Sequence, residues 1–194
     1  GKTLSALRFV VAGAERGEPG LVSGLHESPA RLAAAATLGV APERIVAAIR
    51  STPQIKHRLE VKRADGAATY IDDAYNSNPI GFAAALDLLK RLGQEGGRRI
   101  LVTPGMVELG ERHDEMHRAL GAQAADAADF SIVVKADRIP TFVEGYLAKK
   151  PADALMKVGS FTEASAWLQA NTNAKDVVLL ENDLPDLYER KLVL

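Results

Sequence analysis

Beyond residue 56 the apolar positions of this chain follow two alternating rhythms. Short runs rich in β-branched residues occur at 69–71, 100–102, 130–134, 155–158 and 177–180, and between them the stretches near 79–92, 111–128, 138–148 and 161–171 carry apolar residues at helical spacing. Short continuous apolar runs suit strands covered on both faces, and their alternation with helices predicts a doubly wound, mainly parallel α/β sheet. An extended stretch at 59–62 is expected to add a hairpin edge. Ahead of this region, 7–11 reads as a strand and Gly13, Gly17, Pro19 and Gly20 as the turns of a hairpin. Pro29 opens an alanine-rich helix that Gly39 stops, and Pro42-Glu43 starts another whose Ile45, Val46 and Ile49 share a face. The periodicity ends at 52–57, where Pro53 biases Thr52 away from helix, so this segment predicts a linker and hinge.

Each main strand runs into a polar or glycine-containing turn, at 72–78, 103–110, 135–137, 159–160 and 181–183. In a parallel sheet these turns share the carboxyl rim, where open α/β sheets bind ligands. The richest is Tyr70-Ile71-Asp72-Asp73-Ala74-Tyr75-Asn76-Ser77-Asn78-Pro79, with Asn78 as the expected N-cap and Pro79 as the first helical residue. A helix start offers unpaired N–H groups and a positive dipole end to an anion, and Asp72 and Asp73 suit a ribose hydroxyl or a hydrated magnesium ion. The same residues also spell a capped turn with two solvated acids, and both readings stand at this point. Arg58, just past the linker, is placed to reach a phosphate between two domains, or is a surface arginine.

Ser160-Phe161-Thr162-Glu163 spells a capping box. Gly1-Lys2-Thr3 has the ending of a phosphate-binding loop without the glycine pattern ahead of it, and it runs into a strand rather than a helix. In His113-Asp114-Glu115-Met116-His117 the glutamate is third rather than second, so the zinc-protease pattern is absent and the pair reads as a solvated helix face. Spacing assigns no role to His26.

The composition narrows the classes. With 194 residues and 47% apolar residues, the chain holds one domain plus a fragment, or two small domains. Lys+Arg number 24 against 25 Asp+Glu, which leaves no global basic field for nucleic acid or an anionic membrane. Zero cysteines exclude disulfides, thiolate metal sites and a cysteine nucleophile. Without a signal-peptide pattern or an apolar run of about 18 residues, the expectation is a soluble, cytoplasmic protein.

Three segments carry a family resemblance. Asp72-Asp73-Ala74-Tyr75-Asn76-Ser77-Asn78-Pro79 resembles the Asp-Asp-Ser-Tyr-Asn-Ala-Asn-Pro signature that opens the C-terminal domain of Mur ligases. His57-Arg58-Leu59-Glu60 resembles that family's Gly-Arg-Leu-Glu, and Gly105-Met106-Val107-Glu108-Leu109-Gly110-Glu111 with His117 resembles its Asp-Met-x-Glu-Leu-Gly-Glu followed by His. The likeness is strongest to the branch that adds D-alanyl-D-alanine. It implies that 1–55 is the end of a central ATPase domain and 56–194 a Rossmann-like C-terminal domain. It further implies an ATP- and magnesium-dependent ligase of peptidoglycan synthesis, which phosphorylates a carboxylate of a UDP-muramoyl peptide and lets an amino acid or dipeptide displace the phosphate.

On this resemblance Arg58 and Asp73 contact ATP, with Asp72, Asn76 and Asn78 beside them, while Tyr75, Ser77, Gly105, Met106 and Glu108 lie toward the substrate. The family's phosphate loop, magnesium-binding acids and modified lysine lie upstream of the matching region. The chain is therefore expected to be the C-terminal part of a ligase, inactive by itself, with magnesium held mainly by the upstream part. Three departures stand out: His26-Glu27-Ser28-Pro29-Ala30 for His-Asn-x-x-Asn, Thr103-Pro104-Gly105-Met106 for Leu-Gly-Asp-Met, and Leu180-Glu181-Asn182-Asp183 for Val-Lys-Gly-Ser. The last reverses a charge expected at the rim. Two alternatives remain. One is a non-catalytic nucleotide-binding or interaction module of the same fold. The other is a receiver-like signalling domain, which needs an aspartate after the third strand and a lysine after the fifth, where this chain has Lys135 and Glu181.

Overall fold

The computed structural model describes residues 56–74, 78–107 and 109–182, together with Ala41 and Arg44. The hairpin and helices expected before residue 56 fall, apart from those two residues, outside the described part, as do Tyr75, Asn76, Ser77 and Glu108. The described fold lies within Lys56–Leu194, one of two compact units into which the chain divides.

Six strands form one sheet: β1 (Glu60–Lys62), β2 (Thr69–Asp73), β3 (Arg99–Thr103), β4 (Phe130–Val134), β5 (Leu155–Val158) and β6 (Val177–Glu181). Their spatial order is β1-β2-β6-β3-β4-β5. Only β1 runs antiparallel, as the hairpin edge expected at 59–62, and every other pairing is parallel. Four helices connect them: α1 (Pro79–Leu92), α2 (His113–Ala127), α3 (Pro140–Leu147) and α4 (Phe161–Asn171). The helices expected to begin at 111 and 138 start later, because 3-10 turns at Gly110–Arg112 and Ala136–Arg138 precede them.

The topology explains which face each helix covers. The chain steps from β2 over to β3, then to β4 and β5 in one direction, and returns in the other direction to place β6 between β2 and β3. Right-handed crossovers put helices of opposite travel on opposite faces. Accordingly Phe82, Leu89, Leu120, Phe142 and Tyr146 of α1, α2 and α3 pack on Ile71, Leu101, Val133 and Leu179. On the other face Ala164 and Leu168 of α4 pack on Ile100, Val102, Ile132 and Val178. Helices α2 and α3 meet backbone to backbone: a Cβ on Gly121 would stand 2.1 Å from the Phe142 carbonyl oxygen, and one on Gly145 2.1 Å from that of Arg118.

The amino ends of the strands are closed by ion pairs. Asp176, fully buried, accepts hydrogen bonds from Arg98 N (2.8 Å), Arg98 Nη2 (2.7 Å) and Asn173 N (3.1 Å). Asp129 accepts from Arg99 N (2.9 Å), Nε (3.0 Å) and Nη2 (2.6 Å). Ser160 caps α4 by accepting from Glu163 N, but the reciprocal bond of the expected capping box is displaced by one residue, since the Glu163 carboxylate accepts from Gly159 N (3.0 Å).

Candidate functional site at the carboxyl rim

Strand alternation builds the rim. Ile71, Leu179 and Leu101 occupy one row of the core beneath α1, α2 and α3. Two residues further along, Asp73, Glu181 and Thr103 end the adjacent strands β2, β6 and β3 on that same face, with Asp73 and Glu181 in register. An apolar row thus gives way to a polar one at the centre of the carboxyl edge. Glu181, which stands at the rim where the family's pattern has lysine, is fully buried.

The segments around Arg58 and Asp72-Asp73, separate in sequence, meet in the β1–β2 hairpin, where Glu60 opposes Asp72. Just before β1 the backbone turns sharply. His57 (φ 59°) and Leu59 (φ 50°) both adopt left-handed conformations, unfavourable for residues bearing a Cβ, with the exposed Arg58 between them. Side chains from the strands hold the turn. Asp73 Oδ1 accepts from Leu59 N (3.0 Å), Asp72 Oδ2 accepts from His57 Nδ1 (3.0 Å), and Glu60 Oε2 accepts from His57 N (3.3 Å). The two adjacent carboxylates of β2 therefore shape the loop that carries Arg58.

The Asp72 carboxylate, expected to suit a ribose hydroxyl or a hydrated magnesium ion, is largely buried and bonded within the protein. Asp72 is 5% exposed, and its carboxylate accepts from Lys62 Nζ (2.6 Å), His57 Nδ1 and Ala74 N (3.3 Å). Burial by itself would push the Asp72 carboxyl up, but the Lys62 ammonium and the His57 ring outweigh it and hold the group below the usual carboxylate range. The bond from Asp72 in turn holds the Lys62 ammonium above its usual range. His57 belonged to the expected linker, whose other described member is Lys56, and it is bonded onto β2.

Asn78 caps α1 as expected: its Oδ1 accepts from Ile80 N (3.1 Å) and Gly81 N (3.0 Å), with Pro79 at the first helical position. The cap occupies that oxygen, and what Asn78 provides at the rim is the direction of the helix.

The turn after β3 is held more tightly than its sequence suggests. Gly105 has φ 80°, and a Cβ there would stand 2.6 Å from His117 Nε2 and 2.9 Å from Ile139 carbons. Thr103 Oγ1 accepts from Gly105 N (3.0 Å), Asn182 Nδ2 donates to Gly105 O (2.7 Å), and His117 Nε2 accepts from Met106 N (3.0 Å). Met106, expected to lie toward the substrate, is 1% exposed, and its side chain belongs to the apolar core. The solvated face expected for His113 and His117 is corrected too. His117 is fully buried, its Nδ1 donates to His113 O (2.8 Å), and the two rings lie 4.2 Å apart. Desolvation, joined by the charge of Arg138, pushes the His117 imidazole below its usual range against the opposing pull of Asp114 and of the His113 carbonyl.

Sequence reasoning left His57, Lys62, Thr103 and Asn182 off the candidate site and misread His117. A signal for His117 was present, since it precedes Leu120, Gly121 and Ala124 at the three, four and seven spacing of the buried stripe of α2.

Comparison with known proteins bears on the family and the fold. Residues 57–181 match the family model described as Mur ligase, glutamate ligase domain. The chain is 31% identical over 182 residues to UDP-N-acetylmuramoyl-tripeptide--D-alanyl-D-alanine ligase of Bacillus subtilis (strain 168), covering 84% of this chain and 37% of the relative. To the enzyme of the same name from Mycobacterium bovis it is 30% identical over 181 residues, covering 82% and 36%. The chain thus spans little more than a third of the length of these curated relatives. Among solved structures, MurF ligase from Thermotoga maritima in complex with ADP shares the fold, with a TM-score of 0.60 at 23% identity over 78% of this chain and 33% of that one. MurF from Acinetobacter baumannii gives a TM-score of 0.58 at 25% identity over 78% and 32%. With the matched domain covering most of the chain and containing the described rim except Asn182, this chain belongs to the Mur ligase family.

Proposed function

We propose that this chain is the C-terminal part of an ATP-dependent ligase that adds D-alanyl-D-alanine to a UDP-muramoyl tripeptide in peptidoglycan synthesis, and that 1–55 is the end of its central ATPase domain. The observation that carries the reading is the union of Arg58 with Asp73 in one hairpin at the carboxyl rim of a domain with this family's sequence. In such a ligase ATP phosphorylates the peptide carboxylate, and the dipeptide amine then displaces phosphate as the amide forms. Positioning and neutralisation of phosphoryl charge carry most of the rate in this chemistry. Arg58 supplies a planar guanidinium that can meet two phosphate oxygens at once. Asp73 fixes the backbone at Leu59, the residue next to Arg58.

The described residues gather no complete set of protein ligands for magnesium. Among them no group of three or more His, Asp or Glu side chains is gathered for a metal, and the Asp72 carboxylate is already bonded to Lys62 and His57. The reading therefore assigns magnesium to ligands outside the described residues. Among the described residues no helix is long and apolar enough to cross a membrane.

The test is amide formation by the complete polypeptide containing this chain, followed as phosphate release that requires ATP, the UDP-muramoyl tripeptide and D-alanyl-D-alanine together. The 194-residue chain alone is expected to release no phosphate above a buffer blank. ATP turnover by the isolated chain that is lost on Asp73→Asn would refute the proposed division of labour. A complete polypeptide that ligates nothing would refute the activity and favour a binding module of the same fold.

A further inference from the structure

Three backbone groups of the turn after β3 are each held by a side chain from a different element. Gly105 N is held by Thr103 at the end of β3, Gly105 O by Asn182 just past β6, and Met106 N by His117 of α2. The holding side chains are all at least nine-tenths buried. The geometry also fixes the protonation state of His117. Its Nδ1 faces the His113 carbonyl oxygen and must carry the proton, so Nε2, facing the Met106 N–H, must be a bare acceptor. His113 completes the arrangement by donating from Nε2 to Arg138 O (3.0 Å), which ties α2 to the turn after β4.

We propose that His117 and Asn182 are positioning residues that preset the turn after β3 for the ligase's peptide or dipeptide substrate, and that the turn is set only while His117 is neutral. This deepens the ligase reading and rests on it. Protonation at Nε2 would aim an N–H at the Met106 N–H in a site closed to water, leaving two buried donors face to face. The turn cannot adapt around the ring, because Gly105 already packs against Nε2 with no room for a Cβ. The charged or titratable groups set against His117 are His113 and Asp114 on α2 and Arg138 after β4. Asp114 favours the imidazolium, Arg138 and His113 oppose it, and burial adds to the opposition. Activity should therefore fall only in acid, below the ordinary histidine range. Asn182 works differently: its link to Gly105 O does not titrate, and its backbone N–H is anchored on Asp73 O (3.1 Å), which joins the turn after β3 to the strand that steers Arg58.

The test uses His117→Ala, His117→Gln and Asn182→Gly in the complete polypeptide, with kcat/KM measured against pH and thermal unfolding as the control for folding. Glutamine places an oxygen near the position of Nε2, accepts the Met106 N–H and cannot titrate. We expect His117→Ala to lose about ten- to a hundredfold in kcat/KM for the peptide substrates, with the KM for ATP nearly unchanged. His117→Gln should restore most of that loss and keep its activity at acid pH where the wild type declines. Asn182→Gly, which keeps the left-handed backbone but removes the donor, should lose activity at every pH and retain the wild-type acid limb. In the 194-residue chain, nitrogen NMR should show the Nδ1–H tautomer, and exchange of the Met106 amide should quicken as His117 protonates. If His117→Ala is too unstable to assay, His117→Gln still decides. Wild-type kcat/KM in His117→Ala, or an unchanged acid limb in His117→Gln, overturns the proposal. A wild-type polypeptide that ligates nothing overturns the ligase reading with it, whereas an active wild type with an unaltered His117→Gln profile overturns this inference alone.

Discussion

At the amino ends of the strands the charged side chains close on one another: Asp176 on Arg98, Asp129 on Arg99, with Arg98 also lying 5.9 Å over the ring of Trp167. At the carboxyl ends Asp72 likewise pairs with Lys62 and His57, but the other polar side chains close mainly on the backbone of the loops. Asp73 holds Leu59 N, Thr103 holds Gly105 N, His117 holds Met106 N, and Asn182 holds Gly105 O. An ion pair closed on itself leaves little for a ligand, and it is the less strained construction: the residues forming the amino-end pairs all have ordinary negative φ. At the carboxyl end, His57, Leu59, Gly105 and Asn182 all have positive φ. Strain over-determined by surrounding bonds is the arrangement expected where loops must hold a set geometry for a ligand. One end of the sheet thus secures the fold, and the other spends bonds on fixing loops.

The sharpest way to break this contrast is to remove the anchor of the amino end. Asp176→Ala strands Arg98 N and Asn173 N in a buried site and should cost about 3–5 kcal/mol in urea unfolding, with no selective effect on substrate binding. At the other end, Gly105→Ala forces a side chain into a left-handed position against His117 and Ile139. It should cost about 2–4 kcal/mol and disturb the rim as well.

Next comes Asp72→Asn, which removes the anion beneath Lys62. It should lower stability by about 1–3 kcal/mol, measured the same way. The pH dependence separates the two ends further. The depressed Asp129 and Asp176 carboxyls, like Asp72, contribute stability that is present above the ordinary aspartate value of 3.8 and is lost as pH falls through their lower folded values. The depressed His117 acts earlier. The unfolded chain takes up its proton below about 6.5 while the folded chain resists, so stability begins to decline there, and His117→Gln should remove that shoulder alone. The smallest effect is expected of Ile80→Ser. Ile80 is 78% exposed in the first turn of α1, and the change should stay within about 0.5 kcal/mol.

Most of the fold was legible because its elements follow from local rules. Apolar runs such as Phe130–Val134 and Leu155–Val158 are strands at the predicted bounds, and Asn78-Pro79 starts its helix where a cap and a proline together require. The order of strands needed the handedness of crossovers as well, since nothing in the run 177–181 announces that it inserts between β2 and β3. The rim was legible only in part. Its position followed from the turns, and the choice of Asp73 and Arg58 rested on the family resemblance, but the division between Asp72 and Asp73 depends on which way each carboxylate points and on a lysine ten residues earlier. Asn182 shows the same limit. Where the family's pattern has glycine this chain has asparagine, and φ 62° explains the exchange, since asparagine is among the few other residues that tolerate that backbone. Its bond to Gly105, 77 residues away in the chain, lies beyond any local rule.

On the ligase reading the adjacent acids of β2 divide their labour, Asp73 with Arg58 acting at the ligand and Asp72 holding the scaffold. Kinetics and unfolding measured side by side on Asp73→Asn, Arg58→Ala and Asp72→Asn in the complete polypeptide, with ATP below saturation, test it most directly. Asparagine at 73 can still accept the Leu59 N–H, so that variant isolates the charge. The account predicts that Asp73→Asn and Arg58→Ala each lose about ten- to a hundredfold in kcat/KM while unfolding like the wild type, and that Asp72→Asn chiefly loses stability. Wild-type kinetics in both Asp73→Asn and Arg58→Ala would contradict it.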